Sequence, residues 1–281
     1  MIFLSRIIPN LLLLSSCTIC FTACYTPRYM YSPPATNVPL LEKKGDSRVA
    51  ALYAAGAVGT GGQANTDFYY RGFDVQLALA VTNHATVLFN QSNRYEKNAG
   101  DFDGLIDSAV VVYKRSITEI GGGYFARLAG GGAGMQLLGG MGAGKFTLAD
   151  NGLDVNGQPY NRFHEARVIK LFFQPAFCVH PSPYFTTGFA SRISVLFFNR
   201  IRTDYTTAEQ TAFLLDGLEQ DARVFWEPAI VNSFTFKRLK GLRFEAQVGF
   251  ASLLSKRFVD YRSFNFAAGV SIDWRRLATR K

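Results

Sequence analysis

Apolar and polar positions alternate most clearly between Gly72 and Arg94. Phe73, Val75, Leu77, Leu79 and Val81 are apolar, and Asp74, Gln76, Ala78 and Ala80 between them are polar or small. A period of two predicts a strand with one apolar face. Thr82, Asn83 and His84 then turn the chain, and Asn tolerates the left-handed conformation that a tight hairpin needs. A second strand follows, with Ala85, Val87 and Phe89 on one face and Thr86, Asn90 and Ser92 on the other.

The same unit recurs. Ten strand-like runs are predicted, over 47–60, 72–82, 85–96, 114–127, 134–148, 164–179, 184–199, 223–236, 241–253 and 263–275. The connections sort by parity. Those after odd strands are long (61–71, 97–113, 149–163, 200–222, 254–262) and those after even strands are short (83–84, 128–133, 180–183, 237–240). A closed antiparallel transmembrane β-barrel with short periplasmic turns and long outer loops predicts this alternation, with an even strand count and both barrel ends on the periplasmic side. Ten strands is the expectation, eight or twelve the range around it. A soluble sandwich has no reason to sort its loops in this way.

The last two long runs carry the cleanest faces. Leu242, Phe244, Ala246, Val248 and Phe250 oppose Arg243, Glu245, Gln247, Gly249 and Ala251, and Phe264, Phe266, Ala268, Val270, Ile272 and Trp274 oppose a small or polar set. In lipid the apolar face points outward and the polar face inward. Three features favour that inverted arrangement over a soluble barrel: the small and polar faces fill a dry core poorly, the runs exceed the usual soluble length of about 5 to 6 residues, and aromatic residues gather near strand ends as membrane girdles do (Tyr69, Tyr70, Phe73, Tyr124, Tyr184, Phe185, Trp226, Trp274). Pro175 and Pro228 inside predicted strands suggest bulges. The run 110–113, VVVY, extends the fourth strand above the membrane, and 208–218 has the composition of a short helix over the outer mouth.

The N-terminus changes the picture. Residues 1–23 read as a signal peptide of lipoprotein type, with Arg6 as the positive region and Ile7 to Leu14 as the apolar one. Cys24 after Phe21-Thr22-Ala23 is the expected lipidation site, and Cys17 after Leu14-Ser15-Ser16 is the other candidate. Residues 24–46 hold four of the ten prolines and read as an extended tether outside the barrel, 47–276 as the barrel, and 277–281 as a basic tail. Of four Cys residues only Cys178 lies beyond Cys24, so no disulfide framework is expected. Loss of Arg6 with the leader lowers the formal charge from +9 to +8. Scattered basic residues on an exported chain suit anionic outer-membrane lipid and lipopolysaccharide as partners, and not nucleic acid.

Candidate chemistry is sparse. Gly139 to Lys145, GGMGAGK, matches a phosphate-binding loop but has Phe146 where a Ser or Thr must follow, and no helical pattern after it. Glycines of a curved strand are the better account. None of His84, His164 and His180 has a second ligand at metal-binding spacing, so neither metal nor cofactor is expected. His164 beside Glu165 at the outer rim is the sole weak catalytic pair. More informative are charges on predicted lumen faces: Asp74, Glu119, Lys170, Arg192, Glu227, Arg243, Glu245, Asp273 and Arg275. Both signs are present in a narrow barrel, so the expectation is pairing across the lumen, with a small polar pore or ligand site as the other use.

The stretches GFDVQLALA, VTNHATVLFN and SITEIGGGY, behind a start like CYTPRYMYSPPATNVPLL, resemble a family of uncharacterised bacterial outer-membrane β-barrel lipoproteins over roughly Cys24 to Tyr124. The resemblance implies a fold and an outer-membrane location in a Gram-negative cell envelope, lipid-anchored at the N-terminus. It implies no activity. The basic tail after Trp274 departs from the terminal aromatic strand residue usual in such barrels. The leading expectation is a non-enzymatic barrel with a structural, surface-binding or narrow-pore role. Two others stand beside it: an enzyme modifying outer-leaflet lipid or lipopolysaccharide, and a soluble β-barrel lipoprotein that binds an apolar ligand.

Overall fold

A computed structural model describes residues 28–55, 67–100, 109–128, 132–153, 157–235 and 241–274. Its strands are β1 (Ser47–Ala55), β2 (Asp67–Ala80), β3 (Ala85–Gly100), β4 (Ala109–Arg127), β5 (Ala133–Leu153), β6 (Pro159–Ser182), β7 (Phe185–Thr203), β8 (Arg223–Thr235), β9 (Leu242–Phe250), β10 (Ser252–Leu253) and β11 (Phe264–Asp273). Each strand from β1 to β8 pairs with the next, β8 pairs with β9, β9 with β11, and β11 with β1, all antiparallel. The result is a closed barrel of ten long strands, with β10 a two-residue addition along β8.

Several strands run longer than their alternation predicts. β4 begins at Ala109 rather than 114, β5 continues to Leu153 rather than 148, and β6 spans Pro159–Ser182 rather than 164–179. The loop expected over 149–163 shrinks to 154–158. The physical reason is an inversion of polarity partway up the wall. On β6, Ile169, Leu171, Phe173 and Phe177 point outward and are 43–54% exposed, while Lys170, Phe172, Gln174 and Ala176 point inward. Above Ile169 the faces exchange character: Arg167 and Glu165 point outward, and Val168 and Ala166 are buried inside. β4, β5 and β7 invert too, placing Val111, Tyr113, Phe146, Leu148, Leu196 and Phe198 in an inward apolar cluster. The lower barrel is thus apolar outside and mixed polar and apolar inside, and the upper barrel is built around an inward apolar cluster like a soluble one. A pattern that changes phase reads as a strand end when it is only a change of surroundings.

The upper cluster is closed by the connection from β7 to β8. Thr207–Ala212 forms α1, with a capping box between Thr206 and Glu209, and Tyr205, Leu215 and Leu218 pack down into the cluster. The expected bulges at Pro175 and Pro228 do not occur. Both prolines sit where a ladder is interrupted without a change of register; at Pro228 the interruption separates β9 from β10. The missing N–H removes a bond, and the register is kept across it. Of the expected aromatic girdle, Phe73, Tyr124, Tyr184, Trp226 and Trp274 are 41–66% exposed. Phe185 is half-buried, the side chain of Tyr69 lies outside the described set, and Tyr70 instead points into the lumen at 6% exposure.

Candidate functional site: a lumen filled by the N-terminal segment

Period-two alternation aims polar side chains inward along the lower wall, Asp74, Gln76, Asn90, Gln136, Gln174 and Gln247 among them, between small and apolar ones. Those side chains meet a second length of chain. Residues 28–41, expected as part of an external tether, run extended through the lumen, with Arg28, Met30, Tyr31, Ala35, Thr36, Asn37 and Val38 all buried. Pro33, Pro34 and Pro39 favour an extended backbone with few donors of its own, which suits a segment held by side chains of a surrounding wall.

The wall satisfies that backbone residue by residue. Asn265 donates to the Pro33 carbonyl (3.2 Å), Gln76 to that of Ala35 (2.9 Å), Gln174 to that of Asn37 (2.8 Å) and Gln136 to that of Pro39. The Thr36 N–H donates to Gln247 (3.0 Å). Asn37 is the most connected: its Nδ2 donates to Asn90 (2.8 Å) and the Leu77 carbonyl (3.2 Å), and its Oδ1 accepts from Arg48 (2.8 Å). Lower down, Val38 packs with Ala176, Ala190 and Val231, and Leu41 with Leu88, Phe125, Leu138 and Phe172. At the short-turn end Gly45, at φ 84°, turns the chain out of the lumen into β1, and its N–H donates to the Ala80 carbonyl (2.8 Å).

At the opposite end, the fully buried Arg28 pairs with Asp150 (Nε to Oδ2, 2.9 Å) and lies 3.8 Å from the centre of the Phe213 ring. Tyr205 donates to the same carboxylate (2.7 Å). The Met30 N–H donates to the Asp260 carbonyl (2.8 Å), and Arg115 to that of Tyr29 (2.8 Å). Tyr31 sits between: its hydroxyl donates to Glu227 (2.5 Å) and accepts from Lys170 (2.9 Å). Two voids beside the segment measure only about 10 Å³ each, roughly room for one water molecule.

The anticipated lumen charges divide accordingly. Glu119 pairs with Lys170 (3.0 Å) and Arg192 (3.4 Å), and Lys170 also with Glu227 (3.6 Å). Asp74 pairs with Arg94 (2.7 Å), and Glu245 with Arg48. Arg243 is buried and Asp273 half-buried, both lining one of the small voids. Arg275 lies outside the described residues, as do Cys17, Cys24 and the tail 277–281. Sequence reasoning missed Arg48, Arg94, Glu96, Arg115 and Asp150. Arg94 and Glu96 continue the inward phase of Asn90 and Ser92 along β3, which was the available signal.

His164 and Glu165 are not brought together. They are neighbours in a strand and so face opposite sides of the wall. Glu165 pairs outside with Lys145 (2.7 Å), while His164 is fully buried and both its ring nitrogens lack a hydrogen-bond partner among the described residues. The glycine run Gly139–Lys145 lies wholly within β5, followed by more strand. A Cβ on Gly140 would lie 2.2 Å from the Ile120 carbonyl and 2.8 Å from the Phe172 ring, which accounts for glycine there. On the outer wall a shallow concavity of about 670 Å³ joins the apolar Tyr53 and Phe73 to Arg71, Tyr95, Lys114 and Lys145.

No family model and no curated protein matches this chain. Among solved structures it is similar to the transport unit of the autotransporter AIDA-I from Escherichia coli (10% identity, TM-score 0.41, covering 85% of this chain and 92% of that one). Others are the β domain of the Bordetella autotransporter BrkA (10%, 0.31, 83% and 99%) and a mutant of the TodX monoaromatic hydrocarbon channel (6%, 0.29, 82% and 91%).

Proposed function

We propose that this chain is a non-enzymatic β-barrel of a Gram-negative outer membrane, sealed by its own N-terminal segment and presenting its capped upper barrel at the cell surface. The observation that carries this reading is the lumen: residues 28–41 occupy it, the wall hydrogen-bonds their backbone, and two voids beside them among the described residues measure about 10 Å³ each. The outward apolar face of β6 from Ile169 to Val179 spans eleven residues. That matches the roughly 9 to 11 that a tilted strand needs to cross a bilayer. The short turns face the periplasm and the long connections face outward.

Above the belt, Arg71, Lys114, Lys145 and Arg167 project from the outer wall, with Lys145 partly neutralised by Glu165. Cations at that height suit the phosphates of lipopolysaccharide or of outer-leaflet lipid. The lipoprotein-type signal supports a lipid on Cys24. An occupied polar lumen counts against both a narrow pore and a site for an apolar ligand, and the placing of His164 and Glu165 on opposite faces counts against an enzyme.

Planar-bilayer recording tests the reading. The purified full chain should insert from detergent, show heat-modifiable gel mobility, and pass no stepwise current. Stable single-channel steps from the intact protein would contradict the sealed lumen, and solubility without detergent would contradict the membrane barrel.

A further inference from the structure

We infer that the mature N-terminus leaves the barrel at its long-loop end, on the outer face of the membrane, so that the barrel carries its own N-terminal end across the bilayer. This rests on the membrane orientation proposed above. It reverses the arrangement expected of a tether, in which Cys24 stays beside the periplasmic start of β1.

The path has two fixed ends. At the short-turn end the Lys44 N–H donates to Asn83 (3.0 Å) and the Gly45 N–H to the Ala80 carbonyl, so residues 44 and 45 sit beside the turn that joins β2 to β3. At the long-loop end Arg28 is bound by Asp150, three residues from the upper end of β5, and its N–H donates to Asp260 in the connection that leads to β11 (3.3 Å). Leu41 lies thirteen residue steps along the extended segment from Arg28, about 40 Å at ~3.1 Å each. Cys24 is four residues beyond Arg28, which gives it a reach of at most about 14 Å. It cannot return to the periplasmic side through a lumen that its own chain fills. A sideways exit is closed as well, because every neighbouring pair of long strands is hydrogen-bonded around the ring. The way out is upward past the 254–263 connection, where β8, β9 and β11, of 9 to 13 residues, form a lower wall than β4 to β7, of 19 to 24. A lipid carried by Cys24 is thereby placed at the outer leaflet.

Cysteine labelling on intact cells decides the matter. In full-length Cys178→Ser protein, whose remaining native cysteines are Cys17, Cys20 and Cys24, the label at each introduced position is located by peptide mass spectrometry: Thr26→Cys reports the N-terminal end, Ala208→Cys reports α1 and Asn83→Cys reports the short turn. Each is treated with a bulky, membrane-impermeant maleimide before and after the outer membrane is permeabilised, with heat-modifiable mobility as the folding check. Thr26→Cys and Ala208→Cys should label on intact cells, and labelling of Asn83→Cys should rise at least tenfold on permeabilisation. If Ala208→Cys labels on intact cells while Thr26→Cys behaves like Asn83→Cys, the inference fails and the barrel orientation stands. If all three label alike whatever the state of the membrane, or Asn83→Cys alone labels on intact cells, the membrane reading fails and takes the inference with it.

Discussion

Glu119 sits where two cations converge, with Lys170 at 3.0 Å and Arg192 at 3.4 Å and its own side chain 1% exposed. Removing one member of a buried ionic cluster strands the others, at a cost of about 3–5 kcal/mol. Glu119→Gln should therefore lower the unfolding free energy of the detergent-solubilised barrel, read from its denaturant transition, by an amount on that order; a change under ~1 kcal/mol would mean the cluster is hydrated rather than dry. His164 makes the opposite case. Its two ring nitrogens are buried with no hydrogen-bond partner among the described residues, and replacing an unsatisfied polar group with an apolar one of similar size is near neutral or stabilising. His164→Leu should leave unfolding unchanged or shift it upward, and a loss above ~1 kcal/mol would reveal a partner for the imidazole.

Among the elements, the cap over the upper cluster is held partly by charge. Partial burial alone would raise the Glu209 carboxyl, but the Thr206 backbone N–H (2.6 Å) and hydroxyl, together with Arg162 (3.3 Å), outweigh it and hold the carboxyl below its ordinary value. The folded form thus favours the carboxylate. Its contribution is present above the unfolded-state value and is lost as pH falls through the carboxylate range, below about pH 4. Limited proteolysis within 204–221 should accordingly quicken as pH drops into that range with an acid-stable protease, and Glu209→Gln should remove most of the pH dependence.

The elements also show which features the sequence made legible. Strand identity and hairpin order followed from alternation because the outer and lumen faces differ so sharply across one pleat; loop parity held less well, since the connection 154–158 is no longer than 128–132. Strand length did not follow from alternation, because above Ile169, Ala143 and Thr118 polar side chains such as Arg167 and Lys145 face outward and an apolar cluster fills the inside, so the same geometry carries the reverse pattern. The N-terminal segment was misplaced for a related reason. Prolines at 33, 34 and 39 describe an extended chain whether it lies in solvent or in a sleeve of side chains. The distinguishing signal lay elsewhere, in Gln76, Asn90, Gln136, Gln174 and Gln247 on inward faces. Amides aimed into a narrow lumen need partners, and an extended backbone supplies a row of carbonyls and N–H groups.

At the scale of the whole molecule, two barrels are stacked in one wall: a lower one with an apolar exterior around a partly polar lumen and an upper one with an inward apolar cluster. The threaded segment joins them, packing Met30 and Tyr31 into the upper cluster and Leu41 into the lower lumen. The central claim is that the N-terminal segment occupies the lumen of the assembled barrel. Chemical crosslinking of Asn37→Cys with Asn90→Cys, whose native side chains meet at 2.8 Å, tests it most directly in full-length Cys178→Ser protein taken from native membranes. A short thiol-to-thiol reagent should join the peptides bearing residues 37 and 90 in nearly every heat-modifiable molecule, as read by mass spectrometry. A folded, heat-modifiable barrel that yields no such crosslinked pair would contradict the account.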